Sequence, residues 1–234
     1  MGKLYDKPDI SIITISFNNN HLDETVNSIL SLKQRSKSHI EHVLINGGNH
    51  VRESSVVDIY VNESDSGIYD ALNKGLDKAS GRFVMFVHGD DYVDPSFNLD
   101  LILENLDSSK NVDIYLGRTY INSFPGRFHG SFLWRPFLLR AHIQPPHLSA
   151  VYKSCLFDNF RFNDEYRIIS DFLMFSHFSK KSFKYSRTRI IVQSPNGLSS
   201  SIINVTKEFS DIFGLKAWLF MPFRLAFKLF LGWL

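Results

Sequence analysis

Two aspartates stand side by side at positions 90 and 91, directly after the apolar run Phe83-Val84-Met85-Phe86-Val87 and the punctuating His88-Gly89. Such a run reads as a buried strand, and in open α/β sheets ligands gather at the carboxyl ends of strands. Adjacent carboxylates there repel each other unless they are solvated, protonated or bridged by a cation. A third carboxylate, Asp171, opens a second helical stretch, a place that also suits an ordinary first-turn residue. Asp70 and Lys74 lie one helical turn apart and can pair. On an exposed face such a pair contributes only about 0.3–0.5 kcal/mol. His88, a lone histidine beside the acidic pair, takes no assigned role.

The elements that must hold these groups alternate along the chain. Residues 10–17 (ISIITISF) are apolar on both faces and rich in β-branched side chains, as a central parallel strand requires. A helix follows over 21–32, with Leu22, Val26, Ile29 and Leu30 on its inner stripe. Strands are expected at 41–46 and 56–61, and between 68 and 79 the residues Ile68, Ala71, Leu72, Leu76 and Ala79 fall at helical spacing, with Gly81 as the stop. Then comes the strand that leads to Asp90. The order predicts a Rossmann-like, mostly parallel sheet flanked by helices. Beyond it, the pattern predicts helices at 96–106, 149–158 and 170–180, and strands at 112–120 and 190–192. Residues 124–146 show no clean period, and 194–201 read as a loop.

Composition sets the bounds. A chain of 234 residues, 44% hydrophobic and 14% aromatic, can bury one sizeable core. A formal charge of +2 says little about partners, and the basic run Lys180, Lys181, Lys184, Arg187 and Arg189 reads as a solvated surface, so no nucleic acid is expected. The single cysteine, Cys155, excludes an internal disulfide and suits a reducing compartment. The first residues lack the apolar core of a signal peptide, so a cytoplasmic location is expected.

The string Asn62-Glu63-x-Asp65-x-Gly67-Ile68-Tyr69-Asp70-Ala71-x-Asn73-Lys74-Gly75, followed by Ala79-x-Gly81 and then Asp90-Asp91, resembles family 2 glycosyltransferases, which have the GT-A fold and are common in bacterial polysaccharide assembly. The resemblance covers roughly residues 8–200. It implies that Asp90-Asp91 is a DXD-type motif, with Asp91 nearest to Mn²⁺ or Mg²⁺. It implies a nucleotide pocket from Ser16, Asn18 and Asn46, where the family usually has Asp in place of Asn46. Asn accepts a hydrogen bond from a base but carries no charge. Asp65, Asp70, Asn73 and Lys74 are then expected along the donor site, near a helix N-terminus that favours phosphate. The stretch Phe160 to Asp171 matches the family's F-D-E-x-Y-x-I-x-x-D, whose last Asp is the base, so Asp171 takes that role. His147, in Pro146-His147-Leu148-Ser149, is expected near the metal or a phosphate, and Asn196-Gly197-Leu198-Ser199 resembles a loop that closes over the donor.

The function so implied is an inverting, metal-dependent glycosyltransferase of hexosyltransferase type. It takes a nucleotide-diphosphate sugar, UDP-linked foremost, and a hydroxyl on a lipid-linked glycan, polyprenyl diphosphate being the carrier. Lipopolysaccharide O-antigen, capsule or exopolysaccharide assembly would use such an enzyme. The alternative is a non-catalytic GT-A protein that binds nucleotide or glycan, or scaffolds a complex. A nucleotidyltransferase is disfavoured, because no glycine-rich phosphate loop stands near the start. Residues 1–206 are expected to form the catalytic domain and 207–234 an amphipathic tail. The tail's Lys216, Arg224 and Lys228 suit the cytoplasmic face of the inner membrane, with docking on the core or on a second subunit as the other reading.

Overall fold

The computed structural model describes residues 7–48, 56–109, 111–122, 127–130, 136, 139, 144–194, 202–214, 216–219, 222 and 226. The first half alternates as the sequence predicts. Strand β1 (Ile10–Ser16) leads into helix α1 (Leu22–Arg35), β2 (Ile40–Asn46), β3 (Ile59–Asn62), α2 (Ile68–Lys78) and β4 (Phe83–His88). β2, β1 and β4 pair in parallel, with Ile13 of β1 level with Val43 and Phe86. β1 and β2 are buried along their whole length, as strands inside a covered parallel sheet are. α1 covers one face through Leu22, Val26, Ile29 and Leu32, spaced three and four apart.

Gly81 does not end α2. The helix stops at Lys78, and Ala79 is extended. Gly81 instead lies against β1, where a Cβ atom would sit 2.4 Å from the backbone nitrogen of Ser11. Close approach of two backbones, rather than helix termination, requires glycine here.

The second half departs further from expectation. After the short β5 (Tyr92–Val93), helix α3 (Leu99–Ser108) starts three residues later than predicted, because the Asn98 side chain caps it by accepting from the Leu101 N–H at 3.1 Å. Next come β6 (Ile114–Ile121), β7 (Arg127–Gly130) and β8 (Ala150–Lys153). The helix expected at 149–158 is therefore wrong. It is a 3-10 turn at His147–Ser149, the strand β8, and a second 3-10 turn at Ser154–Phe157. β8 lies antiparallel between β4 and β6 with Val151 and Tyr152 fully buried. Tertiary burial overrides a local pattern too short to separate helix from strand.

Helix α4 (Ser170–His177) follows, then β9 (Phe183–Gln193), α5 (Ile202–Phe213) and α6 (Lys216–Leu219). β9 is far longer than the three residues expected, and runs parallel to β6. The strand order is β3-β2-β1-β4-β8-β6-β9-β5, with β7 paired to β6. The sheet is thus parallel in its first four strands and mixed beyond them. The division drawn at 206/207 falls inside α5, whose Thr206 and Phe209 are buried. Phe209 packs edge-on against Phe172 of α4 with ring centres 4.7 Å apart. Most of the tail beyond 219, most of 124–146 and the Asn196–Ser199 loop lie outside the described residues. Among the described residues no helix is long and apolar enough to cross a membrane.

Candidate active site

The carboxyl ends of β1, β2 and β4 form one rim, and the expected residues at these ends gather on it. Ser16 closes β1 and Asn46 closes β2, and the two are direct partners in the ladder. Asn18 adopts a left-handed backbone (φ 49°), which asparagine tolerates better than most residues. Gly47 and Gly48 follow β2. A Cβ on Gly48 would lie 2.3 Å from Asn18 Oδ1, and one on Gly47 would lie 1.7 Å from the Asp65 carboxylate. The two glycines let the Asn18 turn and the Asp65 loop close around the strand ends. Asn46 Nδ2 donates to Asn62 Oδ1 at 2.8 Å, which orients the amide. Burial raises the Asp65 pKa above its usual value, and the Gly67 N–H donating to Oδ1 at 3.1 Å works against the rise.

Asp70, Asn73 and Lys74, expected along the donor site, brace its walls. Asp70 accepts from the Ser66 N–H at 2.9 Å. Lys74 Nζ donates to the Ser64 carbonyl at 2.7 Å and pairs with Glu63 and Asp70, each at 3.3 Å. Asn73 exchanges two hydrogen bonds with the backbone of Phe162, at 2.8 and 2.9 Å, and so fixes the segment that leads to Asp171.

Asp91 sits in the turn after β4 and is only 1% exposed. Thr25 Oγ1 donates to its carbonyl at 2.6 Å, and its Oδ1 accepts from the Ser194 N–H at 2.8 Å. Its other oxygen, Oδ2, is buried without a partner. Burial first, and the Asp90 charge second, push the Asp91 carboxyl up to about 8. A lone carboxylate held so dry is costly unless a proton or a cation joins it. Asp90 and Asp91 therefore suit a divalent cation whose remaining ligands would be water and substrate oxygens. Among the described residues, no three His, Cys, Asp or Glu side chains converge into a ready-made metal cage.

His147, expected near that pair, is turned to Asp171. Its Nδ1 lies 3.3 Å from Asp171 Oδ2, and its ring centre lies 5.3 Å from that of His88. Asp171, in the first turn of α4, is 8% exposed. Its Oδ1 accepts from the Phe172 N–H at 2.9 Å and faces the Tyr69 hydroxyl at 3.4 Å. Its Oδ2 also accepts from Gln144 Nε2 at 2.5 Å. The loop before α4 is held from behind. Glu208 of α5 accepts from the N–H groups of Arg167, Ile168 and Ile169 at 3.0, 2.9 and 3.2 Å.

Sequence reasoning missed Tyr69, Gln144 and Glu208. Tyr69 carried a signal only as a core aromatic, Gln144 stands in the aperiodic stretch, and Glu208 lies in the presumed tail. One structural signal unites the rim. Ser16 Oγ, His88 Nε2, Asp91 Oδ2, Gln144 Oε1 and His147 Nε2 are all buried without a hydrogen-bond partner among the described residues. A folded protein rarely leaves such groups unpaired, and clustering at one edge marks a place where a ligand pairs them. A cavity of about 750 Å³ opens at the opposite edge beside Pro8, His39, Ser80 and Gly81. Its buried carboxylate, Glu41, is already paired with Ser11 and with Ser80 at 2.6 and 2.8 Å, so that cavity lacks the mark.

Comparison with known proteins identifies the family. The family model "Glycosyl transferase family 2" matches residues 11–167, two thirds of the chain. A "PGL/p-HBAD biosynthesis glycosyltransferase" of Mycobacterium bovis is 25% identical over 194 residues, covering 76% of this chain and 74% of its own. "Putative glycosyltransferase EpsH" of Bacillus subtilis is 22% identical over 218 residues, covering 78% and 60%. Among solved structures, S. aureus TarS 1-349 in complex with UDP superposes with a TM-score of 0.65 at 17% identity, over 85% of this chain and 62% of that one. This chain thus spans about 60% of the length of the TarS structure, and the likeness establishes the GT-A fold. A strand-end acidic pair, a buried helix-opening carboxylate and a matching family model over most of the sheet lead to one conclusion: the chain belongs to glycosyl transferase family 2 and is a glycosyltransferase.

Proposed function

We propose that the chain transfers a sugar from a UDP-linked donor to a hydroxyl of a lipid-linked glycan, with inversion, in bacterial surface polysaccharide synthesis. The buried, unpaired Oδ2 of Asp91 at the strand-end rim carries this reading. Asp91 and Asp90 would hold Mn²⁺ or Mg²⁺ there. When bound, the cation offsets the negative charge of the donor diphosphate. The Ser16, Asn18, Asn46 and Asp65 cradle would take the nucleoside, as a place made narrow by Gly47 and Gly48. TarS structures with UDP and with UDP-GlcNAc support a uridine nucleotide.

Asp171 would accept the proton of the acceptor hydroxyl as that oxygen attacks the anomeric carbon from the face opposite the diphosphate. Its near-complete burial excludes bulk water from the base. On α5 and α6, Ile203, Ile212, Phe213, Trp218 and Leu219 are exposed, Leu219 by 71%. These residues support contact with the inner-membrane surface, where a lipid-linked acceptor resides.

The test is a panel of UDP-, GDP- and dTDP-sugars with Mn²⁺ or Mg²⁺, scored for binding and for turnover. A UDP-sugar is expected to bind and turn over in the wild type, and to bind without turnover in Asp171→Asn. Turnover at the wild-type rate by Asp171→Asn sinks the assignment of the base. Donor binding by the wild type without any turnover would favour the non-catalytic reading.

A further inference from the structure

Asp171 is unusually crowded for a group that must accept a proton. Oδ1 is taken by the Phe172 N–H, which the helix fixes, and by Tyr69, which is buried and stacked on Phe162 at 5.5 Å. Oδ2 faces His147 Nδ1 at 3.3 Å and Gln144 Nε2 at 2.5 Å. His147 is tied down. Its carbonyl accepts from the Tyr152 hydroxyl at 3.0 Å, and its 3-10 turn is pinned where Ser149 Oγ meets Thr119 Oγ1 at 2.6 Å. Gln144 is the long, unbranched member of the set. Its backbone is anchored by Pro145-Pro146, and only its side chain reaches the carboxylate.

The orientation of that amide follows from chemistry. A carboxylate only accepts, so the NH₂ end must face Asp171 and the carbonyl end must point away. The carbonyl Oε1 is buried and has no partner among the described residues. A buried acceptor left so is destabilising. A hydroxyl-bearing molecule at the rim would supply the missing donor.

We propose that Gln144 is a positioning residue that caps Asp171 against water and yields it to the acceptor sugar. This inference rests on the reading of Asp171 as the base. In the capped state Nε2 occupies the lone pair of Oδ2 that proton transfer needs. An acceptor glycan brings two hydroxyls close together. One donates to Gln144 Oε1 and draws the amide aside, and its neighbour approaches Oδ2. As the neighbour's oxygen bonds to the anomeric carbon, its proton passes to Oδ2, and the bond from that carbon to the diphosphate oxygen breaks with its electron pair leaving on the phosphate. Two separate waters would have to be ordered to fill both places, whereas one glycan fills both at once, so the cap yields to the acceptor more readily than to hydrolysis.

The experiment measures donor hydrolysis in the absence of acceptor. UDP release from UDP-glucose, UDP-galactose, UDP-GlcNAc and UDP-GalNAc is followed for the full chain, for Gln144→Met, for Asp171→Asn and for the double variant. Methionine fills the same volume but cannot donate to Oδ2. Gln144→Met is expected to hydrolyse the donor about tenfold faster than wild type, the loss of one hydrogen bond of about 1.4 kcal/mol, with UDP affinity unchanged. The double variant should lose the whole gain. A role in packing alone would lower stability without raising hydrolysis. If Gln144→Met does not fold, Gln144→Asn, whose amide is one methylene short of Oδ2, carries the same expectation. Hydrolysis unchanged or slower in the folded variant, while Asp171→Asn is inactive, overturns the cap and leaves the base standing. Full donor turnover by Asp171→Asn, or no turnover of any of the four donors by the wild type and by folded Gln144→Met alike, overturns the base and the cap with it.

Discussion

Replacing Asp91 by asparagine should change how stability responds to pH and to manganese, independently of any catalytic assay. In the folded protein this carboxyl is pushed up to about 8 from an ordinary 3.8, chiefly by burial. The unfolded chain therefore ionises first as pH rises. Between about pH 4 and pH 8 the folded state holds a proton that the unfolded state has released, and stability falls by about 1.4 kcal/mol per pH unit from this group alone. From pH 5 to pH 7 the loss is about 3 kcal/mol. The amide of the Asp91→Asn variant cannot ionise, so the mutant should lack this component, and the difference in slope between the two proteins isolates it from other titrations. A cation on Oδ2 competes with the proton, so Mn²⁺ should stabilise the wild type more at pH 7.5 than at pH 5.5, and EDTA should reverse the gain. At a hundred times its dissociation constant the ion adds about 2.7 kcal/mol. Urea unfolding at several pH values, with and without Mn²⁺, reads all of this. Parallel pH slopes in wild type and Asp91→Asn, or an equal Mn²⁺ shift in both, would refute the reasoning.

Glu208→Gln should cost about 2 kcal/mol, because three backbone N–H groups lose a charged acceptor while packing is kept. Urea melts check this, and a change below about 0.5 kcal/mol would remove Glu208 from the scaffold. His42, buried and beside Thr14 at 2.9 Å, is held down to about 3 by desolvation first and the Lys33 charge second. The unfolded imidazole takes its proton first, so stability present above pH 6.5 should fall by about 1.4 kcal/mol per unit as pH drops toward 3. His42→Gln should flatten that limb in the same urea series.

The parallel half of the sheet was readable because its residues obey one period each. β1 and β4 are largely apolar on both faces, and α1 and α2 carry clear stripes. The antiparallel insertion was not readable. β8 offers four residues, too few to reveal a period, and its identity comes from burial between β4 and β6. The site divides in the same way. Asp90, Asp91 and Asp171 stand at element ends that the pattern locates. Gln144 and Glu208 act through contacts across 27 and about 40 positions, and no local spacing records such pairs. Gly81 shows a subtler limit, since one glycine suits both a helix stop and a tight strand approach, and only the neighbouring Ser11 backbone decides between them.

The grip of Glu208 on residues 167–169 bears on how this protein is handled. A chain trimmed after Thr206, the obvious cut for removing a greasy C-terminus, also discards Glu208 and Phe209. Three amides ahead of α4 then lose their acceptor, and Phe172 loses the ring packed on it. Poor turnover in such a shortened preparation would report a loosened mounting for Asp171, and would say nothing about whether lipid is required.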